Sequence, residues 1–103
     1  TATGKLSGNA AARPARALSG KERRANTAVV RSAITRNEKE LAALNQQKAA
    51  LEAEMAAPGF FDAANSSESA EAGRLLAALN NAIETAEDAW LTLQEELEAA
   101  LAE

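Results

Sequence analysis

Apolar side chains recur in alternating steps of four and three from Val30 to Met55: Val30, Ile34, Leu41, Leu44, Leu51 and Met55, with Asn37 and Lys48 filling two positions of the same series. That is a heptad seam, one apolar stripe along a helix, broken twice by polar residues. Pro58 and Gly59 end it, because proline has no amide to donate and glycine suits the reversal after a helix. A second seam with the same alternation runs through Ala72, Leu76, Leu79, Ile83, Ala86, Trp90, Leu93, Leu97 and Ala100. Asn65, Ser66 and Ser67, followed by Glu68, offer caps for its start. The pattern predicts a helix over about 20–57, a connector over about 58–66 and a helix over about 67–102. Two seams of matched length joined by a short loop fold back on each other, roughly 50 Å long at 1.5 Å per residue. The expected architecture is all-α, an antiparallel two-helix coiled-coil hairpin over 19–103.

The N-terminal stretch is different. Residues 1–18, TATGKLSGNAAARPARAL, hold two glycines, a proline and small residues with no apolar period. They read as a flexible basic linker, an N-terminal arm that suggests the tail of a larger protein. TGKLS, from Thr3 to Ser7, shares a fragment of a phosphate-binding loop. It lacks the earlier glycine, a hydroxyl residue after the lysine and a preceding strand.

Composition supports long helices. The chain of 103 residues has 28 alanines, no cysteine, no histidine and three aromatics. Such a chain lacks thiolate and imidazole chemistry and the usual zinc ligands. No apolar run reaches the ~18 residues of a membrane span, and the N-terminus lacks the apolar core of a signal peptide. A cytoplasmic, non-membrane location is expected. The carboxylates Glu95, Glu96 and Glu98 fall on different helix faces, so they predict a solvated surface rather than a metal site. No carboxylate pair has a pocket that would raise its pKa, so no general acid or base is expected. The chain is read as a non-enzyme without metal or cofactor.

Charge is sharply divided. Lys5, Arg13, Arg16, Lys21, Arg23, Arg24, Arg31 and Arg36 stand against Glu22 alone in residues 1–36, a local charge of +7. Residues 37–103 carry Lys39, Lys48 and Arg74 against 14 acids, a local charge of −11. Ser19 and Glu22 have capping-box spacing, so a helix starts there. Yet Lys21, Arg23 and Arg24 crowd its first turns, where the backbone dipole favours acids. In the hairpin these cations lie beside the acidic end of the second helix, and the two unfavourable ends partly compensate each other. The pairing is incomplete. Arg24 and Arg31 fall on the e flank of the seam with Lys21 and Arg36 further out, and only Glu87, Glu96 and Glu103 flank the seam opposite. The surplus predicts a surface for a polyanion, with Lys21, Arg23, Arg24, Arg31, Arg36, Arg13, Arg16 and Lys5 as phosphate contacts. The alternative is a solvated surface partly paired with the second helix.

Trp90 occupies a seam position and reads as core, with base stacking as the alternative. Leu91 beside it falls outside the seam. Phe60 and Phe61 are expected to close the hairpin over Met55 and Leu76, with an exposed aromatic tip as the alternative. Asn37 and Lys48 read as register-selecting interruptions. Gly73, which costs ~1 kcal/mol relative to alanine in a helix, is expected to mark a close approach.

The basic linker, LSGKERR, the hairpin seams and AWLTLQEELEA (Ala89 to Ala99) together resemble the C-terminal domain of the ABC-F ATPases, especially the Uup type. Ser19, Lys21, Glu22 and Arg24 look like that family's Leu-Ser-x-Lys-Glu-x-Arg opening, with Leu18 in place. Glu38, Leu44, Leu51 and Met55 fit its first helix. Trp90, Leu91, Glu95, Glu96 and Leu97 look like its closing Trp-Leu and Glu-Glu-Leu pattern. The resemblance implies a fragment whose parent carries two nucleotide-binding domains, uses ATP and magnesium, acts on ribosomes and has no transmembrane domain. It implies a DNA-binding coiled coil, with Lys21, Arg23, Arg24 and Arg31 on phosphate. RNA or the ribosome is the second partner class, and a spacer or protein-interaction module the main rival. Monomer and weak homodimer both remain open.

Overall fold

In the computed structural model the described residues are 19–102; the expected arm with Lys5, Arg13 and Arg16, the TGKLS fragment and Glu103 lie outside them. Helix α1 spans Gly20–Met55 and helix α2 spans Ser66–Ala102, with a 3-10 turn at Ala63–Asn65 between them. The helices are antiparallel: near the loop Leu51 packs with Ala72, and at the other end Thr27 and Arg31 share a cavity wall with Ala100 and Leu101.

The seams account for burial. Val30, Ile34 and Leu51 of α1 and Ala72, Leu79, Ile83, Ala86 and Ala100 of α2 form the apolar core, with Asn37 buried among them. Each retains 5–9% exposure, because two helices offer one seam and no third layer to seal it. Asn37 donates from Nδ2 to the Ala86 carbonyl at 3.1 Å, which locks the register of α1 against α2. Its Oδ1 has no donor among the described residues.

The ends are set locally. Ser19 Oγ accepts from the Glu22 amide at 3.1 Å and the Glu22 carboxylate accepts from the Ser19 amide at 2.9 Å, a complete capping box. Past α1, Gly59 takes φ 81°, the left-handed conformation that glycine adopts without a Cβ clash. Hydrogen bonds from the Phe60 amide to the Ala57 carbonyl, from Asp62 to Gly59 and from Asn65 to Asp62 wind the connector.

Three expectations need correction here. Asn65 does not cap α2: its Nδ2 donates to the Gly59 carbonyl at 3.0 Å and ties the connector together. Phe60 closes the hairpin against the Leu51–Ala72–Leu79 cluster, but Phe61 does not, being 65% exposed. The partly buried Phe60 ring and the exposed Phe61 ring meet edge to face at 5.1 Å. Gly73 marks no close approach either, since a Cβ there would meet nothing within 4 Å.

Candidate nucleic-acid interface

The large apolar residues of α1 stop at Val30. One, two and three turns earlier the seam positions hold Thr27, Arg23 and Gly20, and α2 answers with Ala100. Small and charged residues cannot fill the space between two helices, so the seam opens into a notch. A cavity of about 400 Å³ results, lined by Gly20, Arg23, Arg24, Thr27, Ala28 and Arg31 of α1 and by Ala100 and Leu101 of α2.

This notch brings together Arg23, Arg24 and Arg31. Arg24 and Arg31 are exposed and stand seven residues apart on one flank of α1, about 10 Å along its axis. Lys21 and Arg36 are exposed outside the notch. Among the described residues no ion pair joins Lys21, Arg24, Arg31 or Arg36 to a carboxylate of α2; the ion pair between Arg74 and Glu71 lies within α2. The reason is placement. In an antiparallel pair the e flanks face each other, and opposite Arg24 and Arg31 that flank of α2 offers Gln94 and Leu101 instead of acids. The nearby Glu95 and Glu98 point outward.

Trp90 is half-buried, and its Nε1 donates to Glu38 Oε2 at 3.1 Å across the pair. It belongs to the seam and does not line the notch. Leu101, 58% exposed on the notch wall, escaped the sequence reading. Its signal is its e position, which an antiparallel pair places against Arg24.

The other cavities have the opposite character. One of about 350 Å³ lies beside Asn37 and Glu40 over Ala82, Ala86 and Ala89. Another of about 260 Å³, near the loop, is rimmed by Glu54, Glu68 and Glu71. Neither suits a polyanion. Among the described residues no group of three or more Asp or Glu is placed to hold a metal ion, and no helix is long and apolar enough to cross a membrane.

The family model described as the ABC transporter C-terminal domain matches residues 31–95. The chain belongs to the ABC transporter C-terminal domain family. No curated protein and no solved structure gives a match. In this ABC transporter C-terminal domain, the matched span covers the seam from Arg31 through Glu95 and leaves most of the notch outside.

Proposed function

We propose that this ABC protein C-terminal domain is a non-enzymatic nucleic-acid tether, acting on DNA foremost, within a cytoplasmic parent of the ABC-F, Uup-type class. The parent would bind ATP and magnesium in its own nucleotide-binding domains. The tether grips phosphate through Lys21, Arg24 and Arg31, with Arg23, Arg36 and the arm residues Lys5, Arg13 and Arg16 adding charge. What carries this reading is the notch: Arg24 and Arg31 line it with Ala100 and Leu101 of α2, and among the described residues no α2 carboxylate pairs with them, which favours an outside anion. Guanidinium groups suit phosphate because they donate two parallel hydrogen bonds. Linked to an ATPase, the domain would raise the local concentration of that ATPase on its polynucleotide.

A salt series of duplex DNA binding tests it. Four to five phosphate contacts predict a slope of log K against log salt of roughly −3 to −5. Binding that is flat with salt, or absent at low salt, overturns the reading. Competition with structured RNA separates a DNA tether from a ribosomal RNA contact. The exposed ring of Phe61 at the hairpin tip favours a second role in protein contact, the spacer reading.

A further inference from the structure

We propose that the notch at the open end receives one unpaired nucleotide, so that the domain favours single-stranded over duplex nucleic acid. This rests on the nucleic-acid reading above and goes further by naming what the site holds. A phosphate backbone alone needs cations on an open surface. It does not need a recess, and it does not need an apolar wall. The notch has both. It is lined by Thr27, Ala28 and Ala100, whose small side chains leave space between the helices, and by Leu101, which is 58% exposed. Its volume of about 400 Å³ lies within the ~300–1,000 Å³ of clefts that take small organic ligands. Arg24 and Arg31 stand on the other rim. A ligand that satisfies every wall carries negative charge on one side and a flat apolar face on the other. A nucleotide with its base turned out is such a ligand: phosphates on the arginines, the base face on Leu101 and on a guanidinium plane. A duplex keeps its bases paired and stacked, and offers this notch only phosphates.

Simple electrostatics points the other way, because a duplex has the higher charge density and the steeper salt response. A single-strand preference is therefore diagnostic. The probes are an unstructured single-stranded DNA, its blunt duplex and an RNA strand of the same sequence, each titrated against the full chain by fluorescence anisotropy. The expected result is tighter binding of the single strand by about threefold to fivefold, less than an aromatic platform supplies because Leu101 offers the base no ring to stack on. Leu101→Ala should collapse that ratio by lowering single-strand affinity more than duplex affinity, because only the unpaired base reaches the Leu101 side chain. Arg24→Gln and Arg31→Gln should weaken both. The Leu101 methyl resonances should move upfield with the single strand and stay in place with the duplex, as a base ring covers them. Equal binding of the RNA strand supports the base as the recognised feature; its rejection supports DNA as the source. Duplex binding as tight as single-strand binding, or a ratio untouched by Leu101→Ala, overturns the inference. If duplex binding persists with its salt slope in that case, the phosphate reading still stands; loss of both at low salt removes both.

Discussion

Asn37 shows what one polar residue does to a seam. Its Nδ2 bond to the Ala86 carbonyl selects one register, while its unpartnered Oδ1 carries a desolvation cost. Replacing it with leucine removes both. Asn37→Leu should stabilise the hairpin by about 1 kcal/mol, the low end of the cost of a buried unsatisfied group. It should also loosen register and partner choice, as loss of a polar seam residue does. A higher melting temperature together with dimers in sedimentation would bear this out; a lower one would show that the Ala86 bond outweighs the orphaned oxygen. Gly73 makes the opposite case. It sits exposed within α2 with open space where a Cβ would go. Gly73→Ala should add about 1 kcal/mol by reducing backbone freedom in the unfolded chain and raising helix propensity. Its thermal midpoint should rise by ~4–8 °C for a domain of this size.

The two helices were legible because each carries its own signals. Steps of four and three mark the buried stripe, and Ser19 with Glu22 marks the first turn of α1. The connector was legible only in part. Two adjacent phenylalanines in a loop look alike in a sequence, and which one turns inward depends on where the chain emerges from Gly59. That glycine is the hinge of the turn, with φ 81° and the Asp62 carboxylate 3.2 Å from where a Cβ would stand. Gly59→Ala should cost ~1–2 kcal/mol, the penalty of a left-handed L-residue. It should also lessen Phe60 burial, seen as weaker proton cross-relaxation from Phe60 to Met55 and Leu76. An unchanged melting temperature and unchanged Phe60 spectra would mean the turn can relax at no cost. Asn65 was misread for a related reason. A capping residue type between two elements can bond forward to the next helix or back to the turn, and here the tight connector brings the Gly59 carbonyl within reach first.

Taken whole, the molecule separates its charge by end. The open end carries the exposed cations Lys21, Arg24 and Arg31, while no cation lies between Lys48 and Arg74 around the loop. This distribution of charge favours a polyanion at the open end and disfavours one around the loop. Replacing Lys21, Arg24 and Arg31 with glutamine should reduce the salt slope of DNA binding by about one for each phosphate no longer engaged. The melting temperature should stay nearly constant, because exposed charges contribute only ~0–1 kcal/mol even when paired. A drop of many degrees would instead assign these residues to holding the hairpin together.

Periodicity, caps and breakers were enough to establish two helices, their seams and their antiparallel pairing, because those signals act between near neighbours along the chain. The sign of charge at each end was equally plain. Whether the cations would be quenched was not. That depended on which side chains α2 presents at the level of Arg24 and Arg31, and the register fixed by Asn37 and the seam puts Leu101 there in place of an acid. The notch has the same origin: Thr27 and Ala100 are unremarkable small residues until two helices meet at that height and find nothing large enough to fill the gap.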